Sequence, residues 1–292
     1  MCDEDTVIES NSYLAQGTKM GRRDFNKLAV GAAAILMLPP VANALEVVGH
    51  DVMVNTPDGD ADCYFVHPAK GKHPGVIIWP DILGLRPAFR LMGERLAKSG
   101  YAVLVVNPYY RSARSPVIEP GASFQDAKTR NRVMPYYRAL SAETNVTDAK
   151  AYVAYLDAQN AVDVKRKIGT TGYCMGGPMV MRTAAALPER IGAGGSFHGS
   201  GLVTNDAESP HLLIKNMQAD LLIAVAANDD ERAPNDKEVL RKTAAKYGLK
   251  AEIEVYEGAM HGWCPPDSRV YHEKQAEQAW VRLLHTFENA LG

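Results

Sequence analysis

The chain has 292 residues, 46% of them hydrophobic, enough to bury a substantial core within one medium-sized domain. With 32 basic residues against 34 acidic ones the formal charge is −2, which excludes a strongly basic nucleic-acid or membrane-surface protein. No internal repeat, HExxH, CxxC or phosphate-binding glycine loop occurs, so the motifs call for no metal and no cofactor.

In chain order, Gly21-Arg22-Arg23-Asp24-Phe25-Asn26-Lys27 comes close to a twin-arginine export motif. A small apolar run over 28–38, then Pro39-Pro40 and Ala42-Asn43-Ala44, follow it. The run is too short to span a bilayer, and Ala-x-Ala is a signal-peptidase pattern. The expectation is a twin-arginine (Tat) signal over 1–44, cleaved after Ala44. The Tat export machinery would then deliver a periplasmic domain, 45–292, with no stable membrane association. A short buried helix or an uncleaved anchor is the competing reading. Cys2 would leave with the signal, and the odd number that remains (Cys63, Cys174 and Cys264) leaves at least one thiol free.

Within the mature part, strands are predicted over 47–54, 63–67, 76–79, 102–106, 168–172, 193–197, 221–226 and 251–256. The interior ones are continuous apolar runs, as expected for parallel strands buried on both faces. Helices are predicted over 87–99, 146–159, 175–186, 235–247 and 271–290. Strand and helix alternate, which predicts an α/β fold with a mostly parallel central sheet and helices on both faces. The segment 110–142, rich in Arg, Pro and Tyr, breaks the rhythm. It is expected to lie over the C-terminal edge of the sheet as a helical excursion walling a pocket, or as a plain surface loop.

The segment Gly172-Tyr173-Cys174-Met175-Gly176-Gly177 joins one strand to one helix and has the form of a nucleophile elbow with cysteine at its apex. Such a turn strains the central residue, and small neighbours let strand and helix approach closely enough to make it. The amide of Met175 then sits at a helix N-terminus, ready to donate to an anion. In the α/β-hydrolase fold an acid and a histidine follow the nucleophile, each just past a strand. Here strand 221–226 runs into Asp229 and Asp230, and strand 251–256 runs into His261. The reading is a Cys-His-Asp site with Cys174 as nucleophile, His261 as base, and Asp229 or Asp230 as acid.

These motifs resemble those of the dienelactone hydrolases (carboxymethylenebutenolidases). The resemblance rests on the elbow Gly172 to Gly177, on Asp230 to Pro234 as an Asp-x-x-x-Pro turn, and on Tyr256 to His261 as a Tyr-x-x-Ala-x-His turn; the second match implies Asp230 as the acid, and Asp229 takes its place if the turn is set one residue earlier. A first active-site loop, Asp81-Ile82-Leu83-Gly84-Leu85, is the fourth match, and the likeness runs from about residue 46 to the C-terminus. It implies hydrolysis of a small-molecule ester or lactone through a thioester, with the Met175 and Ile82 amides forming the oxyanion hole. It also makes Asp81 a thiol-activating candidate, although bracing of the loop is an equal reading. Asp81 stands where the family typically has glutamate. Pro265 stands where the dienelactone-specific enzymes carry a substrate-binding arginine, so the chemistry carries over better than the dienelactone substrate.

Around this core the remaining residues divide. His198, at the end of strand 193–197, is expected to pack or bond locally rather than catalyse. Trp79 and Trp263 flank the active-site turns as pocket walls, with core burial as the competing reading. Arg111, Arg114, Arg130, Arg132 and Arg138 crowd the excursion as candidate carboxylate binders, most of them expected on a solvated surface. Cys63 and Cys264 are expected to pack; a Cys174–Cys264 disulfide that switches the enzyme off is suggested only by the nearness of Cys264 to His261. A thiol-based redox sensor or binding module on the same fold, and a thioesterase or acyltransferase, are the alternatives to the hydrolase.

Overall fold

A computed structural model describes residues 37–292. The twin-arginine run and the apolar stretch up to residue 36 lie outside the described residues. Residues 37–44 form irregular chain, with Leu38 half-buried against the domain.

Eight strands form one sheet in the order β1-β2-β4-β3-β5-β6-β7-β8. A hairpin of β1 (Val47–Thr56) and β2 (Gly59–Pro68) opens it, with Thr56 opposite Gly59. β2 pairs antiparallel with β4 (Ala102–Val105), and every later pairing is parallel: β3 (Gly75–Trp79), β5 (Ile168–Tyr173), β6 (Ile191–Phe197), β7 (Asp220–Ala226) and β8 (Ala251–Tyr256). Every residue of β3, β4, β5 and β6 is buried, which is why they read as uninterrupted apolar or small-residue runs rather than alternating ones.

Two core layers flank the sheet. On one face lie α1 (Pro87–Lys98) and the long C-terminal helix, numbered α7 below (Glu273–Ala290). α1 starts on Pro87, whose fixed φ suits a first helical position, and buries Phe89, Met92 and Leu96 at helical spacing. The C-terminal helix buries Ala279, Leu283 and Phe287, spaced four apart along one stripe. The other face carries α3 (Ala142–Asp157), α4 (Gly176–Ala186) and α6 (Asp236–Lys246), through Tyr152, Val180 and Leu240 among others. Between β4 and α3 the excursion contains α2 (Ala127–Arg138), preceded by turns.

Several element boundaries differ from expectation, β2 among them, and two of the differences have clear local reasons. α3 begins four residues before the predicted start, because Ser141 and Thr144 close a capping box: each side chain accepts from the other's backbone amide. The turn after β7, where no helix was predicted, winds into the short helix α5 (Ala227–Arg232). This second difference changes the site.

Candidate active site

Cys174 sits where β5 meets α4, with φ at +55°, the left-handed region that side chains other than glycine rarely occupy. The glycines around it are required by packing. A Cβ on Gly172 would lie 2.2 Å from the Gly176 carbonyl oxygen, and one on Gly176 would lie 2.3 Å from that of Trp79. Both obstacles are backbone, which cannot swing away as a flexible side chain can. The Cys174 amide donates to the Phe197 carbonyl (3.0 Å) and to Nδ1 of His198 (3.1 Å), which ties the elbow to the end of β6.

His261 follows β8, and its imidazole is hydrogen-bonded to the Cys174 side chain. Its Nδ1 faces Asp229 Oδ2 at 2.7 Å. Burial alone would lower its pKa, but the Asp229 carboxylate and the Cys174 sulfur outweigh that and raise it to about 10. The backbone is fixed as well. The His261 amide donates to Oδ1 of the buried Asn228 at 2.8 Å, and Ala227 donates to the Ala259 carbonyl at 2.9 Å, so the two turns form one unit.

The structure therefore corrects the expected acid. Asp230 does not meet His261; both of its oxygens accept from Lys237 Nζ, at 2.6 and 2.7 Å. The reason is helical winding in α5. Successive residues on a helix point about 100° apart, so only one of two adjacent aspartates can face the histidine.

Asp81 takes the bracing position. Its oxygens accept from Arg86 Nη1 (2.7 Å) and Nη2 (3.0 Å), and from the Leu83 amide (2.9 Å) two residues ahead. Arg86 reaches across to Asp267 on the far side of the histidine turn, with 2.6 and 2.8 Å contacts. Burial works against the charge of Arg86, but the two carboxylates more than offset it and raise its pKa.

Ile82 and Met175, which carry the two expected oxyanion-hole amides, are linked by a residue the sequence reading passed over. The buried Tyr109 hydroxyl points at both the Ile82 carbonyl (2.9 Å) and the Met175 sulfur (3.1 Å). Nothing in Asn107-Pro108-Tyr109-Tyr110 signals this, since the contact depends on two loops distant in sequence. Asn228 was missed too, although its place just past β7 and beside the acids was a usable signal.

Cys174, His198 and His261 open together with Ile82, Asp81 and Arg86 onto one pocket. Residues 122–125, a turn ahead of α2, form the opposite wall, so the excursion does reach the site, but through a turn rather than its helix. His198 is fully buried, with φ at +40°, and burial beside His261 holds its pKa well below the ordinary value. It is a neutral ring whose Nδ1 accepts, the local role expected of it.

Other expectations resolve against the pocket. Trp79 packs on Tyr152 and Trp263 stacks on Tyr256, both fully buried in the core, so neither walls the site. Arg111 is paired with Asp58 and the buried Asp148, Arg114 with the Asp60 carbonyl and Asp62, and Arg130 with the Phe124 and Gln125 carbonyls. None of the five excursion arginines lines this pocket; Arg86 and Arg269 do. None of Cys63, Cys174 and Cys264 is in a disulfide. Cys264 belongs to the core layer of α1 and α7, away from the layer of Cys174, and burial pushes its thiol pKa up; Cys63 is raised in the same way. Both fit the packing reading, and the Cys174–Cys264 disulfide is not formed.

Comparison with known proteins agrees with this architecture. The model of the Dienelactone hydrolase family matches residues 61–291. A Synechocystis protein provisionally named a carboxymethylenebutenolidase is 29% identical over 233 residues, covering 78% of this chain and 91% of its own. A dienelactone hydrolase from Anabaena variabilis superposes with a TM-score of 0.60 over 84% of this chain and 99% of its own, at 16% identity. The dienelactone hydrolase-like promiscuous phosphotriesterase P91, from metagenomic libraries, reaches 0.68 over 84% and 99%, at 20% identity. At such identities the two structures speak for the fold alone.

Proposed function

The chain belongs to the dienelactone hydrolase family and is a lactone or ester hydrolase; from that premise we propose that it works through a Cys174–His261–Asp229 triad and a thioester intermediate. The observation that carries this reading is the chain of contacts from the strained Cys174 through His261 to Asp229.

In the resting pair the thiol proton resides on His261, and Asp229 fixes the ring and stabilises the imidazolium. The Cys174 thiolate attacks the substrate carbonyl carbon, a C–S bond forms, and the electron pair moves onto the carbonyl oxygen. The Met175 and Ile82 amides receive that oxyanion; in other hydrolases one such donor is worth roughly 3–4 kcal/mol. As the tetrahedral species collapses, the C–O bond breaks and His261 delivers its proton to the leaving alkoxide. Water then gives a proton to His261 and attacks the thioester, and the thiolate leaves. Asp81 braces the first loop and takes no proton in this scheme. A redox sensor has no need of a carboxylate orienting the histidine, which is why the enzyme reading is preferred.

The test is hydrolysis of p-nitrophenyl acetate and of a simple lactone by the wild type and by Cys174→Ala, with acid-quenched mass spectrometry of the Cys174 peptide. Turnover that vanishes in the variant, with an acyl adduct on Cys174, supports the scheme. Equal turnover in Cys174→Ala would remove it.

Export on the twin-arginine route, with cleavage after Ala44, is proposed on the motif around Arg22 and Arg23 and on Ala42-Asn43-Ala44. A periplasmic protein whose mass begins at Leu45, lost when both arginines become lysine, is the expected result. Among the described residues no helix is long and apolar enough to cross a membrane.

A further inference from the structure

Resting on the hydrolase reading above, we propose that the pocket selects small uncharged esters or lactones and turns away substrates that carry a carboxylate. The argument starts from Arg86, the buried cation of the wall beside Cys174, whose side chain is 4% exposed. A guanidinium has five N–H groups. Here Nε donates to Asp267 Oδ2, Nη1 to Asp81 Oδ1 and the Gly84 carbonyl, and Nη2 to Asp81 Oδ2 and Asp267 Oδ1. All five are spent within the protein, and none is left for a substrate oxygen.

The charge follows from the same contacts. Two carboxylates share one guanidinium, so this wall carries surplus negative charge, while the charge of Asp229 is balanced by the protonated His261 in front of it. Arg269, on the rim, does not reverse the sign. Its Nη2 donates to both oxygens of Asp126 at 3.2 and 3.1 Å, and with each side chain 44% exposed the pair lies largely in water. A substrate carboxylate entering this pocket would shed water beside like charge without gaining a buried donor in return, the costly case for a charged group. A neutral ester or lactone asks only that its carbonyl oxygen be received. The pocket itself is narrow, at ≈ 80 Å³, which suits a small ring or a short acyl chain beside Cys174; a wider cavity of ≈ 560 Å³ begins at Met175 and Asp229.

Two ester substrates isolate charge from size. p-Nitrophenyl butyrate and p-nitrophenyl hemisuccinate differ by a terminal methyl against a carboxylate. After correction for spontaneous hydrolysis, kcat/KM is expected to favour the butyrate by roughly 10- to 100-fold, the scale of a like-charge penalty in a partly screened site. Raising the salt from about 0.05 to about 0.5 M should narrow that ratio, since screening shortens the reach of the wall's charge. Asp267→Asn, which removes one carboxylate, should narrow it further. Equal or faster turnover of the hemisuccinate, or a ratio indifferent to both salt and Asp267→Asn, overturns the proposal.

Alkylation of Cys174 reads the same selectivity without hydrolysis: thiolate sulfur displaces iodide from neutral iodoacetamide or from anionic iodoacetate. Relative to free cysteine, Cys174 should favour iodoacetamide by a similar factor, with Cys174→Ala correcting for Cys63 and Cys264; no such preference overturns the proposal. Failure of both esters alongside selective alkylation would sink the hydrolase reading and leave the charge selectivity standing.

Discussion

Asp229 and Asp230 are chemically identical neighbours, and only the winding of α5 separates a residue that orients His261 from one that binds Lys237. Asp229→Asn is expected to cut kcat by roughly 10²- to 10⁴-fold, because the amide cannot stabilise the imidazolium and favours the wrong ring tautomer. Asp230→Asn, which loses a partly buried ion pair away from the histidine (side chains 23% and 21% exposed), should stay within about threefold of the wild type in turnover. Steady-state kinetics of the two variants reads the assignment, and the reverse ranking would restore Asp230.

The pH profile tests the same contact. With the folded His261 pKa raised from 6.5 to about 10, its proton stays available to the leaving group until the pH climbs through that value. Activity should therefore fall on the alkaline side near pH 10, and Asp229→Asn should move that limb downward. The stability that His261 gains from Asp229 and Cys174 has the same sign: it is fully present below about pH 6.5 and is lost as pH rises through about 10. Cys174 and His261 were legible in the sequence because strained, glycine-flanked turns leave a pattern in the chain. The acid was legible only to within one residue, since nothing in Asn228-Asp229-Asp230-Glu231 announces a helix rather than an open turn.

At the scale of elements, the site is a junction of loops brought together by close backbone approach. Gly176 shows how little room there is: a Cβ would meet the Trp79 carbonyl at 2.3 Å, so β3 and α4 would have to part. Gly176→Ala should cost about 3 kcal/mol in chemical denaturation and lower the yield of folded protein. A variant as stable as the wild type would show that the elbow relaxes more easily than its packing indicates.

Tyr109 joins the other two loops. Tyr109→Phe leaves the Ile82 carbonyl buried without this donor, at a cost of about 1–3 kcal/mol, and frees the loops of Ile82 and Met175, the proposed oxyanion-hole residues, to move independently. The expected signature is a fall in kcat of roughly tenfold with little change in KM, because the loss is felt where the oxyanion forms. No periodicity could point to Tyr109. Its partners lie 27 and 66 residues away, and such a contact exists only once the sheet is assembled.

Across the whole molecule, what the sequence made legible was what apolar patterning controls: eight strands, the helices on their two faces, and the strand ends at which Cys174, the two aspartates and His261 are presented. The polar network was not legible, because ion pairs carry no period. Arg86 is the clearest instance. It lies one residue before the predicted helix 87–99 and drew no notice there, yet it joins the loop after β3 to the turn after β8, 181 residues further on, through Asp267. Removing it would leave Asp81, whose side chain is only 13% exposed, and Asp267 facing each other with no cation between them.

Breaking a buried pair from one side is costlier than never having made it, since the remaining charge stays desolvated. Arg86→Met should therefore cost about 3–5 kcal/mol in urea unfolding. Arg86→Lys should recover only part of that, because an ammonium point charge cannot bond two carboxylates in the manner of a fork. Asp81→Asn in the Arg86→Met background should restore some of the loss by removing one stranded carboxylate, a coupling that a double-mutant cycle reads directly. If the two single losses simply added in the double variant, Asp81 and Arg86 would act independently, and their ion pair would not be what braces the first loop.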